Sequence, residues 1–462
     1  MAEETPAGSE KVLKHVLLIN LGRGNTALPP PHYEQTTYVM PDEAHITSRV
    51  AGLALWRWLE DTGRSPESVL FACTDTAWED KGQAVADEAR ALSLPFHKHE
   101  TVHHEVPRSL NQLWSILPPL EAWLARQGAR RDFPIVLHMD LTHAFRAIPM
   151  AHSWLALYLA RRGLAMVGTW GYGAFDPTQK RLTPYLDLSH FAVLAEWAEA
   201  VRLFYQRLDP SALARLLDPE ERLVRKARAG EGETPPAAVR ALIAAAKAAG
   251  PHLANGLPLE VGLAVRQNLV DLTEEQVIAA ARSLIPPKVP LVQELFAVLA
   301  PMAVDRAAPR RAKRTLELSE AEISRQRYLV EAWLRAGKLD AALRAFRELM
   351  VNRLLLAWKV PPPQWLRREE RVKAESVFHY LSLNKKSEKL SPQERFLAEL
   401  WSEVANFRNP LAHAGMEVND VNAGNAEKKL REEFLPRFDQ LCADQDLWDH
   451  LQQFVGLVSP SE

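Results

Sequence analysis

Cysteine is nearly missing from this chain of 462 residues, which has two, Cys73 and Cys442. Two thiols so far apart exclude a disulfide-framed scaffold and a cysteine-built zinc site. Net charge is missing as well. Acids and bases cancel to −2, so no global field draws the chain to nucleic acid, and such contacts must come from local patches. No apolar run approaches the ~20 residues of a membrane span. The opening MAEETPAGSEK is polar and acidic, unlike a signal peptide. Two phosphate-binding fingerprints are absent. After Gly22 and Gly24, Ala27 stands where a dinucleotide loop has its third glycine, and prolines follow in place of a helix. A P-loop occurs nowhere, and no internal repeat is visible. What remains is an ordinary composition, 47% hydrophobic and 25% charged, expected to form a cytoplasmic protein of roughly two to four domains.

What is present falls into two regimes. From Val12 to about Asp187, apolar runs alternate with amphipathic segments. HVLLINLG, SVLFACT, PIVLHMDLT and LAMVGTWGYGAF read as strands. Residues 44–61, QAVADEARAL, SLNQLWSILPPLEAWLARQG (broken at its proline pair) and AIPMAHSWLALYLARRG read as helices. That order predicts an α/β domain, Rossmann-like, with an open and mostly parallel sheet covered by helices on both faces. From Ser189 the strand signals fade. HFAVLAEWAEAVRLFYQRL is a long amphipathic helix, and residues 227–237 form a loop rich in Gly, Pro and charge. Helix starts are readable in capping-box pairs at Thr273 and Gln276, Ser319 and Glu322, and Ser391 and Glu394, and Gly337 reads as a stop. The second half is predicted all-α. The expected division is 1–190 for the α/β domain, 191–315 for a helical connecting region, and 316–462 for a second helical domain.

In an open parallel sheet, ligands bind beyond the carboxyl ends of the strands. Four strand ends here carry small or polar residues: Asn20, Gly22, Arg23, Gly24 and Thr26; Thr74 and Thr76; Asp140, Thr142, His143 and Arg146; Tyr172 and Gly173. Glycines let backbone N–H groups approach an anion. Threonine hydroxyls, a histidine and an arginine can complete phosphate contacts. Any one such loop is an ordinary βα turn; four on one rim point to a nucleotide-like ligand without the usual diphosphate cradle.

A second cluster is Arg408, Asn409 and His413. Phe396, Leu400, Trp401, Val404 and Phe407 mark the buried face of the preceding helix. Pro410 biases Asn409 away from the helical region, so the helix is expected to end there, with Arg408 and His413 on either side of a turn. A guanidinium suits phosphate oxygens, and a histidine suits proton transfer near neutrality. RNA carries its own nucleophile, the 2′-hydroxyl. One such pair offers a single titratable group, and a symmetric dimer would supply two.

The two clusters together resemble the CARF–HEPN ribonucleases of type III CRISPR defence. Asp140-Leu141-Thr142-His143 matches four of the five positions of the family's D-x-T-H-G motif, with Ala144 in place of the glycine. Tyr172-Gly173-Ala174, Asn20-Leu21-Gly22 and Asp187-Leu188 are also similar to the sensor half. Arg408, Asn409 and His413 fit the HEPN signature, and Ala336 to Leu349 resembles the first long HEPN helix. The resemblance implies a CARF sensor that binds cyclic oligoadenylate at the strand-end residues named above. It implies a HEPN endoribonuclease that cleaves single-stranded RNA in a homodimer, with no cofactor or metal, no membrane and no stable DNA binding. Alternatives are a cyclic-oligoadenylate-binding regulator, or a ring nuclease that cuts its own signal at Thr142 or His143. A transcription factor has no helix-turn-helix here to support it. His97, His99, His103 and His104 are expected in a solvated loop rather than a metal site, and Arg306, Arg310, Arg311, Lys313 and Arg314 on a solvated face. Trp56, Trp58 and Trp333 are expected in cores.

Overall fold

The computed structural model describes residues 13–22, 24–25, 27–130, 135–143, 147–176, 182–216, 235–269, 272–283, 287–305, 313–412 and 422–457. It forms two compact units, one ending at Glu196 and one beginning at Trp197.

The first unit is built on eight strands: β1 His15–Asn20, β2 Thr36–Val39, β3 His45–Ser48, β4 Ser68–Cys73, β5 His99–His103, β6 Ile135–Asp140, β7 Ala165–Gly173 and β8 Leu182–Asp187. They form one sheet in the order β3-β2-β8-β7-β6-β1-β4-β5. Neighbours are parallel except at β2–β3 and β7–β8. HVLLIN becomes a central strand because both its faces are covered, as an uninterrupted apolar run requires. Leu17 and Ile19 face the core shared with Trp56, Leu59 and Phe71. Val16 and Leu18 face the opposite core, with Trp123, Ile148 and Leu155. Helices α1 Ala51–Asp61 and α2 Asp75–Ala91 supply the first core, while α3 Leu110–Trp114, α4 Leu117–Arg126 and α5 Ala147–Arg161 supply the second. The segment is broken as expected near its proline pair: α3 ends at Trp114, and Pro118 and Pro119 stand in the first turn of α4, where proline is tolerated.

The boundary between units falls inside α6, Ser189–Arg207. After α7, Ser211–Arg215, the described residues of the second unit contain helices only. The longest are Ala237–Ala254, Glu320–Arg335, Leu339–Ala357, Arg368–Leu383 and Pro392–Ala412. Thr273 and Gln276 form a complete capping box, and so do Ser391 and Glu394. At Ser319 only half forms: the hydroxyl accepts from the Glu322 N–H, but the Glu322 carboxylate turns inward to Arg325 and Gln326. Gly337, at φ +71, closes the helix Glu320–Arg335. Trp56, Trp58 and Trp333 are buried as expected.

An α/β unit followed by an all-α unit is thus the observed fold class. Three local expectations fail. Residues 44–61 are not one helix, because β3 occupies His45–Ser48 before α1 begins. The histidine segment is not a solvated loop: one turn Phe96–Lys98 leads into β5, the sheet edge, where His99 stacks on Phe96 at 4.0 Å and His103 bonds Asp75 at 2.6 Å. Sheet pairing with β4 supplies the backbone partners that a polar pentapeptide lacks alone. The helix from Pro392 continues through Pro410 to Ala412. Proline removes only its own bond to the carbonyl of Asn406, an exposed residue whose carbonyl can turn to water.

Candidate functional site

The chain goes from β1 to β4 on one side of β1, then returns to β6 on the other. The crevice at such a switch point opens at the carboxyl ends of β1 and β6, which are Asn20 and Asp140. Asn20 is fully buried. Its amide donates to the Asp140 carbonyl at 2.7 Å, and its carbonyl oxygen pairs with His152 Nδ1 at 2.8 Å. Asp140 folds the next turn. Its Oδ1 accepts from the Thr142 N–H at 3.3 Å and the Thr142 hydroxyl at 2.6 Å, an Asx-type turn. Tyr185 on β8 donates a third bond at 3.0 Å. The Thr142 hydroxyl in turn accepts from the Gly173 N–H at 2.9 Å. A Cβ at Gly173 would sit 2.7 Å from the Tyr38 ring, so only glycine lets β7 pass here.

His143 ends the turn. Its Nε2 accepts from the Ala51 N–H, the first residue of α1, at 3.2 Å, which leaves the proton on Nδ1. Tyr33 stacks on the ring at 3.9 Å. The Tyr33 hydroxyl donates to the Gly22 carbonyl at 2.7 Å and accepts from the Gly22 N–H at 3.1 Å. The buried amine of Lys81, on α2, donates to the same carbonyl and stands 4.7 Å over the Tyr33 ring. Gly24, at φ +66, turns the loop back so that the Asn25 N–H meets the His32 carbonyl at 2.8 Å.

Burial favours the neutral forms of the histidines and of Asp140, beside the charged amine of Lys81. Desolvation lowers His143 to about 3, helped by the charge of Lys81, and lowers His152 to about 3. It lifts Asp140 to about 7, against the bonds from Thr142 and Tyr185 that favour the carboxylate. Asp140 Oδ2 is buried without a hydrogen-bond partner among the described residues. The arrangement offers His143 Nδ1–H as a neutral donor near the cationic Lys81 amine, while the amides of Gly22, Asn25, Ala51, Thr142 and Gly173 are already bonded within the protein. Such a surface can take an anionic or nucleotide-like group.

Asn20, Gly22, Asp140, Thr142, His143 and Gly173 therefore come together. Thr74 and Thr76 do not join them: the Thr74 hydroxyl caps α2 by accepting from the Ala77 N–H at 3.2 Å, and Thr76 is exposed on its first turn. Tyr172 alternates to the other face of β7, where its side chain is exposed. Arg23, Thr26, Ala144, Phe145 and Arg146 lie outside the described residues. Sequence reasoning missed Tyr33, Tyr38, Lys81 and Tyr185. A signal existed for Lys81, because it falls on the buried stripe Ala77, Lys81, Val85, Ala89 of α2.

In the second unit, the helix Pro392–Ala412 carries the other cluster. Leu400, Trp401 and Val404 are buried, while Phe396 and Phe407 are partly buried. Trp401 stacks on Phe378 at 4.5 Å, with the Arg347 guanidinium 4.8 Å from its ring. Arg437 covers Phe396 at 3.7 Å and pairs with Glu399 at 3.5 Å. Arg408 is half-buried. Its Nη1 donates to Asn409 Oδ1 at 3.2 Å, and its Nε is buried without a partner among the described residues. Asn409 is exposed. The pair lies in the last described turn of a helix that runs on through Pro410 to Ala412. His413 lies outside the described residues.

An eight-stranded α/β unit with a polar switch-point crevice, followed by a helical unit with a half-buried arginine, is the class of protein that fold and site define. No protein-family model matches the chain, and no curated protein matches it. It is similar to a solved structure of Enterococcus italicus Csm6 bound to cyclic hexa-2′-fluoro-hexa-dAMP. The identity is 10%, the TM-score 0.38, and the match covers 96% of this chain and 99% of that one. At that identity and score the likeness adds nothing to what the strands and helices themselves show.

Proposed function

We propose that this chain is a signal-activated endoribonuclease, in which the strand-end crevice binds cyclic oligoadenylate and Arg408 with His413 cleaves single-stranded RNA. The observation that supports it is the convergence of Asn20, Gly22, Thr142, His143 and Gly173 at the switch point. Those residues carry the sensor half of the resemblance. His143 Nδ1–H would meet a ring phosphate beside the loop at Gly22. Lys81 and Tyr33 would hold that loop in place. Arg23, next in sequence to Gly22, and Arg146, three residues after His143, would add positive charge to the ligand's surroundings.

In the helical unit the reading gives Arg408 the phosphorane oxygens, Asn409 a positioning role and His413 proton transfer. The attacking group is the substrate's own 2′-hydroxyl, so the reaction needs no metal and leaves a 2′,3′-cyclic phosphate. DNA, lacking that hydroxyl, is inert. The working unit is a homodimer, which supplies two histidines to one composite site.

The test is incubation of the pure chain with labelled single-stranded RNA, with and without cyclic oligoadenylates of four and six units, in excess EDTA. Cleavage that appears only with one ring, and yields cyclic phosphate ends, is expected. Activator bound without cleavage would leave a regulator. Consumption of the activator itself would identify a ring nuclease. Loss of cleavage in the chelator, restored by magnesium, would overturn the metal-independent step.

A further inference from the structure

The helix Pro392–Ala412, which carries Arg408, lacks a bond near its end. Pro410 has no N–H, so the Asn406 carbonyl receives none from it. The last turn therefore needs support from outside the helix. That support lies along one stripe. Phe396, Glu399, Glu403 and Phe407 follow one another at three- and four-residue steps, which places them on one face.

Opposite that face runs a helix with an irregularity. It begins as Ala423–Lys429, widens into a π-helical turn at Leu430–Phe434, and resumes as the α-helix Leu435–Cys442. The Leu435 N–H bonds the Leu430 carbonyl, five residues back. Pro436 accounts for the widening. It cannot donate to the carbonyl of Glu432, and in a regular helix its ring would clash there. Such turns inside α-helices are frequent at functional sites, and this one has a geometric consequence. In an α-helix, residues five apart diverge by about 140°. In a π-turn, each residue lies over the one five before it. Lys429 and Phe434 are five apart, and both reach the Phe407 ring. The Phe434 centroid is 6.1 Å from it, and the Lys429 amine 5.8 Å. Lys429 also donates to Glu403 at 3.4 Å. At the other end of the stripe, Arg437 covers Phe396 and pairs with Glu399 and Glu433. The stripe of contacts thus ends on the residue directly before Arg408.

Given the assignment of RNA cleavage to Arg408, on which this rests, we propose that the π-turn Leu430–Phe434 is a positioning element of the nuclease centre. It holds Phe407 between the Phe434 ring and the Lys429 amine, and so fixes the backbone from which Arg408 projects. Lys429 and Phe434 are positioning residues that act through Phe407, not on the substrate. Arg408 depends on such support. Its Nη1 bonds its own neighbour Asn409, and its buried Nε has no hydrogen-bond partner among the described residues. Its direction therefore follows chiefly from the backbone.

The experiment combines amide exchange with steady-state cleavage, on the full chain as wild type, Lys429→Met and Phe434→Leu. Both variants should speed exchange at Arg408 and Asn409 and leave the amides of Phe396 to Leu400 protected as in wild type. Phe434 is fully buried, so Lys429→Met carries the test should Phe434→Leu not fold. With cyclic oligoadenylate present, kcat should fall roughly 10- to 100-fold at an unchanged KM for RNA. In an Arg408→Ala background the same substitutions should change the residual rate little, because their effect runs through Arg408. Lys428→Met, at an exposed neighbouring position, should alter neither exchange nor kcat. Unchanged exchange at Arg408 and Asn409 in both variants would overturn the proposal. So would rate losses that add fully to that of Arg408→Ala, the mark of general destabilisation. A raised KM with a salt slope lower by about one would place Lys429 on the RNA backbone instead, and would also overturn it. Exchange needs neither RNA nor activator. A wild type that cuts no RNA would sink the function assigned to Arg408, while exchange would still decide whether the π-turn holds its backbone.

Discussion

The two units bury polar groups in opposite ways. In the sheet unit the buried histidines and Asp140 are pushed toward their neutral forms: desolvation holds His15 near 4 and His143 and His152 near 3, and lifts Asp140 to about 7, while Lys81 and Arg64 are the cations buried beside them. In the helical unit the buried polar groups are charged and paired. Arg325 binds Glu322 through two bonds, at 2.7 and 2.5 Å, and donates to the carbonyls of Pro258 and Met302. Gln326, Asn352 and Arg371 extend that set side chain by side chain to Glu348. Groups held neutral can accept a charged ligand without rearranging an ion pair. A charged network fixes the register of helices, because every partner lost leaves a buried charge.

The largest test of this contrast concerns chemistry. His413→Ala and Arg408→Ala should each reduce activated RNA cleavage by ~10²–10⁴-fold and leave activator affinity unchanged. Parallel rate and calorimetric measurements check this, and near wild-type cleavage would remove the assignment. Next comes stability. Glu322→Ala strands the buried Arg325 charge and should cost on the order of 3 kcal/mol, read by urea unfolding. A cost below ~1 kcal/mol would show that the carbonyls of Pro258 and Met302 suffice.

Acid should then separate the units. A histidine whose folded value is lowered contributes stability present above ~6.5 and lost as pH falls toward that folded value. Asp140 acts oppositely: its raised folded value favours the folded state at low pH, an effect lost as pH rises through about 7. Three histidines outweigh one aspartate, so β1 and β6 amides should lose protection between about pH 6.5 and 4. Hydrogen exchange read unit by unit would expose the opposite trend. Asp140→Asn should deepen this acid loss, because it removes the opposing term. The smallest effect is expected at Thr142. Thr142→Val removes the bonds to Asp140 and Gly173 and should weaken activator binding roughly tenfold, about one net hydrogen bond. Unchanged affinity would place the ligand elsewhere.

Half of the sheet was readable from sequence. β1, β4, β6 and β7 are mostly apolar runs, because helices cover both their faces. β2, β3, β5 and β8 are four to six residues long and rich in polar residues, so they form only by pairing with neighbours. Of the rim, Asn20, Gly22, Asp140, Thr142, His143 and Gly173 were legible because strand ends concentrate small polar residues. Tyr33 and Tyr185 were not, since nothing near them in sequence indicates a hydroxyl turned inward.

Sequence alone determined the two-regime chain, the helix caps at Thr273 and Ser391, and the D-x-T turn, whose bonds span only two residues. These depend on local spacing and local hydrogen bonds, which a linear reading contains. Tertiary structure decided that the helix runs on past Pro410, that Lys81 is buried against Gly22, and that His143 gives its Nε2 to the start of α1. It also decided that Met150, Trp154 and Tyr158 face water although α5 is apolar nearly throughout. An all-apolar helix has no periodicity to orient it, and only the packing of Ile148, Leu155 and Leu159 against β7 and its neighbours selects the side left outside.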